Sequence, residues 1–151
     1  MSIETRQTEL GITLPDDTAP AANYDPFVSS GNLVFVSGQI SQNENGLIKG
    51  RLGADLDVAA GAAAARRCGL SLIAQVKAAT GSLDSIVRVV KLSGFVNSTG
   101  DFTDQPEVIN GCSDLMVEVF GDKGRHARAA VSVPALPRGV AVEIEAVFEV
   151  E

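Results

Sequence analysis

From Val142 onward, apolar and polar positions alternate without a break. Val142, Ile144, Ala146, Phe148 and Val150 point one way; Glu143, Glu145, Val147, Glu149 and Glu151 point the other. A period of two places successive side chains on opposite faces of a sheet, so one face is core and the other carries a row of carboxylates. A second strand-like run precedes it, from Gly124 through the turn residues Pro137, Arg138 and Gly139. In that run Arg128 shares a face with Ala130 and Ser132, a lone guanidinium over a floor of small side chains. A cation with space in front of it, near carboxylates on a neighbouring strand, suggests a site for a small anion. Folded as a plain hairpin, the two runs would set Arg128 opposite Phe148, about 15 Å along the strands from Glu143 at ~3.3 Å per residue. Bulges near Pro134 and Pro137 could shorten that span; otherwise a site shared by Arg128 and Glu143 takes two chains.

The same reading extends upstream. Residues 2–10 can form a short helix with Ile3 and Leu10 as anchors, and residues 15–22 read as a surface loop rich in Pro, Asp and Ala. Strands are predicted at 25–30 and 33–37 around the tight turn Gly31-Asn32, with a weaker third at 46–50. Asp57 can cap a long helix running to about Thr80, with Gly81 as its stop. Its stripe is Ala62, Ala65, Gly69, Leu72, Ile73 and Val76, alanine-rich at the front, which implies close approach to whatever it covers. Arg66, Arg67, Gln75 and Lys77 are expected to face away, the arginine pair as solvated surface. Residues 86–96 are apolar on both faces near their centre, the mark of an interior strand.

Asp104, Pro106 and Glu107 then open a second helix whose stripe, Val108, Cys112, Leu115, Met116, Val119 and Phe120, recurs at helical steps up to Gly121. The order is β-β-β-α-β-α-β-β, an α+β chain with two helices on one face of a sheet. Nothing within the chain covers the other face, which must be polar or find a partner.

Composition narrows the chemistry. The length suits one domain with a real core, and 45% hydrophobic residues is ordinary for a globular protein. A net charge of −7 and a pI near 4.6 weigh against a nucleic-acid partner, which normally meets a basic footprint. One histidine and two cysteines make a zinc site a poor expectation, and no metal is expected. Cys68 and Cys112 fall on apolar helical positions and read as buried free thiols. No apolar run reaches the ~20 residues of a membrane span, and the first residues lack a signal pattern. A cytoplasmic location is the default expectation.

Two segments carry a family resemblance. Residues 127–139, A-R-A-A-V-S-V-P-A-L-P-R-G, followed by V-E-I-E-A, resemble the C-terminal signature of the YjgF/RidA (reactive intermediate deaminase) superfamily. Gly31 to Ile40, G-N-L-V-F-V-S-G-Q-I, is similar to that family's first hairpin. With the matching element order the resemblance covers about residues 24–150, leaving residues 1–22 as an N-terminal extension before a domain at 23–151, as in a longer branch of the superfamily.

The resemblance implies a chorismate-mutase-like fold and a homotrimer with clefts between subunits. It also implies hydrolysis of a small enamine or imine carboxylate to a keto acid and ammonia, with no cofactor. Carried over residue by residue, Arg128 matches the arginine that grips the substrate carboxylate, a bidentate fork that lysine cannot copy. Glu143 matches the glutamate that handles water or a proton, and Tyr24 a tyrosine that bonds the acid or positions water. Ser37, Gly38, Ala130 and Asn110 match residues lining the pocket.

There are departures. The family archetype has Ser-Cys after the arginine, where this chain has Ala129-Ala130. His126 stands where proline is usual, either as a pH-sensitive rim residue or as a simply exposed one. A non-catalytic protein that binds a keto acid in the same clefts is the alternative expectation. The endoribonuclease activity also ascribed to the superfamily fits poorly with net acidity, few aromatics and a single histidine.

Overall fold

The computed structural model describes residues 2–16 and 22–151. Its centre is one five-stranded sheet. Helix α1 (Ile3–Glu9) leads into strands β1 (Phe27–Ser30) and β2 (Leu33–Ile40), then the two-residue strands β3 (Gln42–Asn43) and β4 (Gly46–Leu47). Helix α2 (Val58–Thr80), strand β5 (Ile86–Asn97), helix α3 (Gln105–Phe120) and strands β6 (Ala127–Val133) and β7 (Val142–Val150) follow. The sheet order is β1-β2-β7-β5-β6, with β5 and β6 parallel and the other neighbours antiparallel. The expected surface loop over residues 15–22 falls largely on residues 17–21, which lie outside the described residues.

Both long helices pack on one face. The alternating side chains Val142, Ile144, Ala146 and Phe148 of β7 are buried beneath them, together with Leu92 and Val96 of β5. Asp57 accepts the N–H of Ala60 at 2.8 Å and caps α2 as its sequence position suggests. Asp104 holds the corresponding place before α3 without a side-chain capping bond. The alanine-rich front of α2 meets α3 at backbone distance: a methyl at Gly111 would overlap the Ala62 carbonyl and lie 2.7 Å from its carbon. The close approach predicted for that stretch is thus a glycine–backbone contact between helices.

Helix α1 is tied down electrostatically. Asp84 accepts the N–H groups of Ile3 (2.8 Å) and Glu4 (3.3 Å), and Glu4 pairs with Lys77 at 3.0 Å.

Four expectations change. The third strand shrinks to β4, which pairs with β3 in a separate two-stranded ladder rather than joining the sheet. The last two runs do not form a hairpin, because β5 lies between β6 and β7. Alternation fixes which face a residue takes but not which strand lies beside it. The nine residues of β7 can bury a continuous apolar face between two neighbours, whereas β6, with its small side chains, takes the edge. Gln75 is buried at 3% exposure rather than facing away. Arg66 and Arg67 make ion pairs with Glu118 and Glu44.

The uncovered face is not purely polar. Register places Val28, Phe35, Val147, Lys91 and Ala127 in one row across all five strands. Val28 and Phe35 are 53% and 45% exposed, and Val131 on the same face is 46% exposed. No helix among the described residues is long and apolar enough to cross a membrane.

Candidate functional site

The sequence-predicted residues fall into two groups on opposite faces of the sheet. The first gathers on the open face. Strand β2 bulges between Val36 and Gln39, and Glu143 on β7 pairs with Ile40 just beyond the bulge. The Glu143 carboxylate lies directly over Gly38, where a methyl would press into Oε2 and sit 3.1 Å from Cδ. A glycine is what admits the carboxylate to that position. Burial raises the Glu143 carboxyl above its ordinary value, and Glu145 on the same face raises it further. Ser37, beside Gly38, donates its hydroxyl to the Asp25 carbonyl at 2.7 Å and its N–H to Pro26 at 2.9 Å. Those bonds pin the bulge to the segment that begins at Tyr24, whose side chain is exposed.

The second group lies on the helix side, at the β6 edge. Arg128 is in register with Leu92, a core residue, so its side chain rises toward α3. Its Nη1 donates to Ser113 Oγ at 3.0 Å and its Nη2 to the Pro106 carbonyl at 3.4 Å. Pro106, Asn110 and Ser113 are spaced four and three residues apart, one stripe of a helix. Asn110, exposed, therefore sits between the two points that Arg128 touches. Ala130, next along the same face of β6, packs against the core and offers no polar group. None of the ion pairs among the described residues includes Arg128.

Cys112 is buried on the same helix, its thiol pushed up to about 12 by desolvation with Arg128 acting in the opposite sense. Cys68 is buried and raised for the same first reason, desolvation. Both are free and kept neutral, unsuited to nucleophilic work.

Within one chain the groups do not meet. Glu143 is level with Phe95 and Val131, Arg128 with Leu92, so the two backbones are two strands apart and offset by three residues. At ~4.8 Å per strand and ~3.3 Å per residue that is about 14 Å, with the side chains on opposite faces. One small molecule cannot touch both from a single copy. A joint site requires a second chain.

Sequence reasoning missed Ser113 and the Pro106 carbonyl as partners of Arg128. The spacing 106–110–113, with Asn110 already singled out, was the available signal. His126 is half-buried and bonded to Ser113 rather than simply exposed.

Residues 4–148 match the family described as YjgF/chorismate mutase-like, with a proposed endoribonuclease activity. The protein TCP17 of Trypanosoma cruzi is 53% identical over 142 residues, covering 93% of this chain and 89% of its own. The crystal structure of the protein Atu1372 of Agrobacterium tumefaciens, of unknown function, superposes with a TM-score of 0.91 at 48% identity. That match covers 99% of this chain and 92% of the other. A 2-iminobutanoate/2-iminopropanoate deaminase of Dermatophagoides farinae is 29% identical over 142 residues, 93% of this chain and 95% of that one.

Proposed function

The chain belongs to the YjgF/chorismate mutase-like family, and from that premise we propose that it hydrolyses small enamine or imine carboxylates to keto acids and ammonia. The observation that carries the reading is the Arg128 guanidinium: bonded to neutral oxygens only, next to the exposed Asn110, with no carboxylate among its described partners. A planar fork in that state is suited to a planar carboxylate. The Dermatophagoides farinae deaminase, at 29% identity, supports the reaction class.

In this reading three copies assemble through their open sheet faces, covering Val28, Phe35 and Val131. At the rim of that interface the β6 edge of one copy, which carries Arg128, meets the Tyr24, Ser37, Gly38 and Glu143 side of its neighbour. Arg128 holds the substrate carboxylate. Glu143, whose burial favours the protonated form, gives a proton to the methylene carbon of the enamine, making the iminium. It then takes a proton from the water that attacks C2, returns it to the nitrogen so that ammonia can leave, and accepts the hydroxyl proton of the carbinolamine as the carbonyl forms, which restores its protonated state. Every proton is accounted for, and no cofactor enters.

The test is to generate a 2-imino acid in solution and follow ammonia and keto-acid release. Arg128→Ala should abolish the acceleration while keeping the assembly, and Arg128→Lys should recover little. Undiminished turnover by Arg128→Ala would overturn the proposal.

A second reading is keto-acid binding without turnover. Ala130 favours it, because the next position along that face of β6 has neither hydroxyl nor thiol to steer a water. Pyruvate binding lost in Arg128→Ala, with no hydrolysis by the unaltered protein, would select it.

A further inference from the structure

A chain of hydrogen bonds runs behind Arg128, and it begins at the backbone of a glycine packed against α3. A methyl at Gly124 would overlap the Met116 carbonyl and lie 2.9 Å from the Val117 nitrogen, so the chain here is pressed against the backbone of α3. Gly124 is buried there, its carbonyl turned to the His126 ring. His126 Nδ1 lies 2.6 Å from that carbonyl, and His126 Nε2 lies 2.9 Å from Ser113 Oγ. A carbonyl oxygen can only accept, so Nδ1 carries the proton. In the neutral ring Nε2 is then an acceptor, and the Ser113 hydroxyl donates its hydrogen bond to it. With its proton so committed, Ser113 presents lone pairs to Arg128 Nη1 at 3.0 Å. Each link fixes the direction of the next: Gly124 sets the ring, the ring sets the hydroxyl, and the hydroxyl sets the guanidinium.

A guanidinium has five N–H groups. Ser113 and Pro106 take one each, from different terminal nitrogens. Three remain, Nε–H and one on each terminal nitrogen, and their plane is set by the two that are held. We infer that Ser113 and His126 are positioning residues, a relay that aims the Arg128 fork at the substrate carboxylate. The inference rests on the proposed function, since it assigns Arg128 a carboxylate to hold. Neither residue touches the substrate; both act through the arginine.

The experiment uses the full chain with pyruvate as the calorimetric probe and a generated 2-imino acid as substrate. Loss of one bond to a charged group predicts that Ser113→Ala weakens pyruvate binding and raises KM about tenfold, with kcat within about twofold, since a carboxylate grip is made equally in ground and transition states. Ser113→Thr, which keeps the hydroxyl, restores most of the affinity. His126→Phe, which keeps the ring but neither nitrogen, gives a smaller KM increase of the same kind. If Ser113→Ala and His126→Phe bind pyruvate like the unaltered protein while Arg128→Ala does not, the relay is wrong and the functional reading stands. If Ser113→Thr fails as badly as Ser113→Ala and both melt earlier, Ser113 is a packing residue and the relay is again overturned. If Arg128→Ala itself binds pyruvate normally, the functional reading falls first.

Discussion

The carboxylate of Glu143 rests on the backbone of Gly38, and the contact exists only because residue 38 has no side chain. Gly38→Ala would push against the far end of a flexible side chain, which can swing aside at little cost to the fold. The displaced carboxylate is the proposed proton carrier, and misplacement of a reacting group by about an ångström costs on the order of a hundredfold in rate. Gly38→Ala should therefore lose more than tenfold in kcat with a melting temperature within a few degrees of the parent. Steady-state kinetics beside thermal denaturation check it. Unchanged turnover would detach Glu143 from the chemistry.

The raised Glu143 carboxyl also predicts a pH dependence. Burial, reinforced by Glu145, makes the folded chain hold this proton more tightly than the unfolded chain does. Between the ordinary carboxylate value and the raised one, the folded state binds more protons, so stability falls as pH rises through that window. Glu143→Gln removes the liability. Its melting temperature relative to the parent should rise as pH is taken from about 4 toward neutrality, where the charge is fully present in the parent. A difference that stays flat or shrinks with pH would contradict the assignment.

Phe35 stands in the open-face row between Val28 and Val147. A carboxylate there would be buried unpaired in the proposed assembly, at a cost of several kcal/mol. Phe35→Asp should sediment as a monomer at micromolar concentration, keep its far-ultraviolet dichroism, and lose imine hydrolysis together with its oligomeric state. Full activity in a demonstrated monomer would rule out a cleft built from two chains.

The α2–α3 contact predicts a purely structural failure. At Gly111 a methyl would strike the backbone carbonyl of Ala62, which cannot swing away as a side chain can. Gly111→Ala should cost about 1–3 kcal/mol by forcing the helices apart, lowering the melting temperature by roughly 2–4 °C per kcal/mol. Urea denaturation gives the value directly.

The parts that could be read from sequence were those in which a residue's own pattern determines its state. Asp57 caps α2 and β5 is interior because a capping side chain and a two-sided apolar strand carry their meaning locally. Arg128 and Glu143 could each be singled out. Their relationship could not, because alternation does not record that β5 intervenes or that the two residues point to opposite faces. Ser113 went unnoticed for a similar reason. A lone serine on a helix acquires a role only when β6 brings a guanidinium to it. Gln75, polar and placed by the helical wheel at the surface, is covered by chain that the wheel does not include.

The position of β7 has a consequence for how the molecule is made. It is the latest of the five strands to be synthesised, yet it lies in the middle, with β1 and β2 on one side and β5 and β6 on the other. Until it arrives, the N-terminal hairpin and the β5–α3–β6 unit have no ladder joining them, and each presents a bare strand edge. A nascent chain therefore leaves the ribosome as two halves waiting for a keystone, and loss of a few residues from β7 would divide the sheet rather than trim it. Chaperone demand and aggregation during expression should rise sharply with any lesion in that strand, well beyond what its length alone suggests.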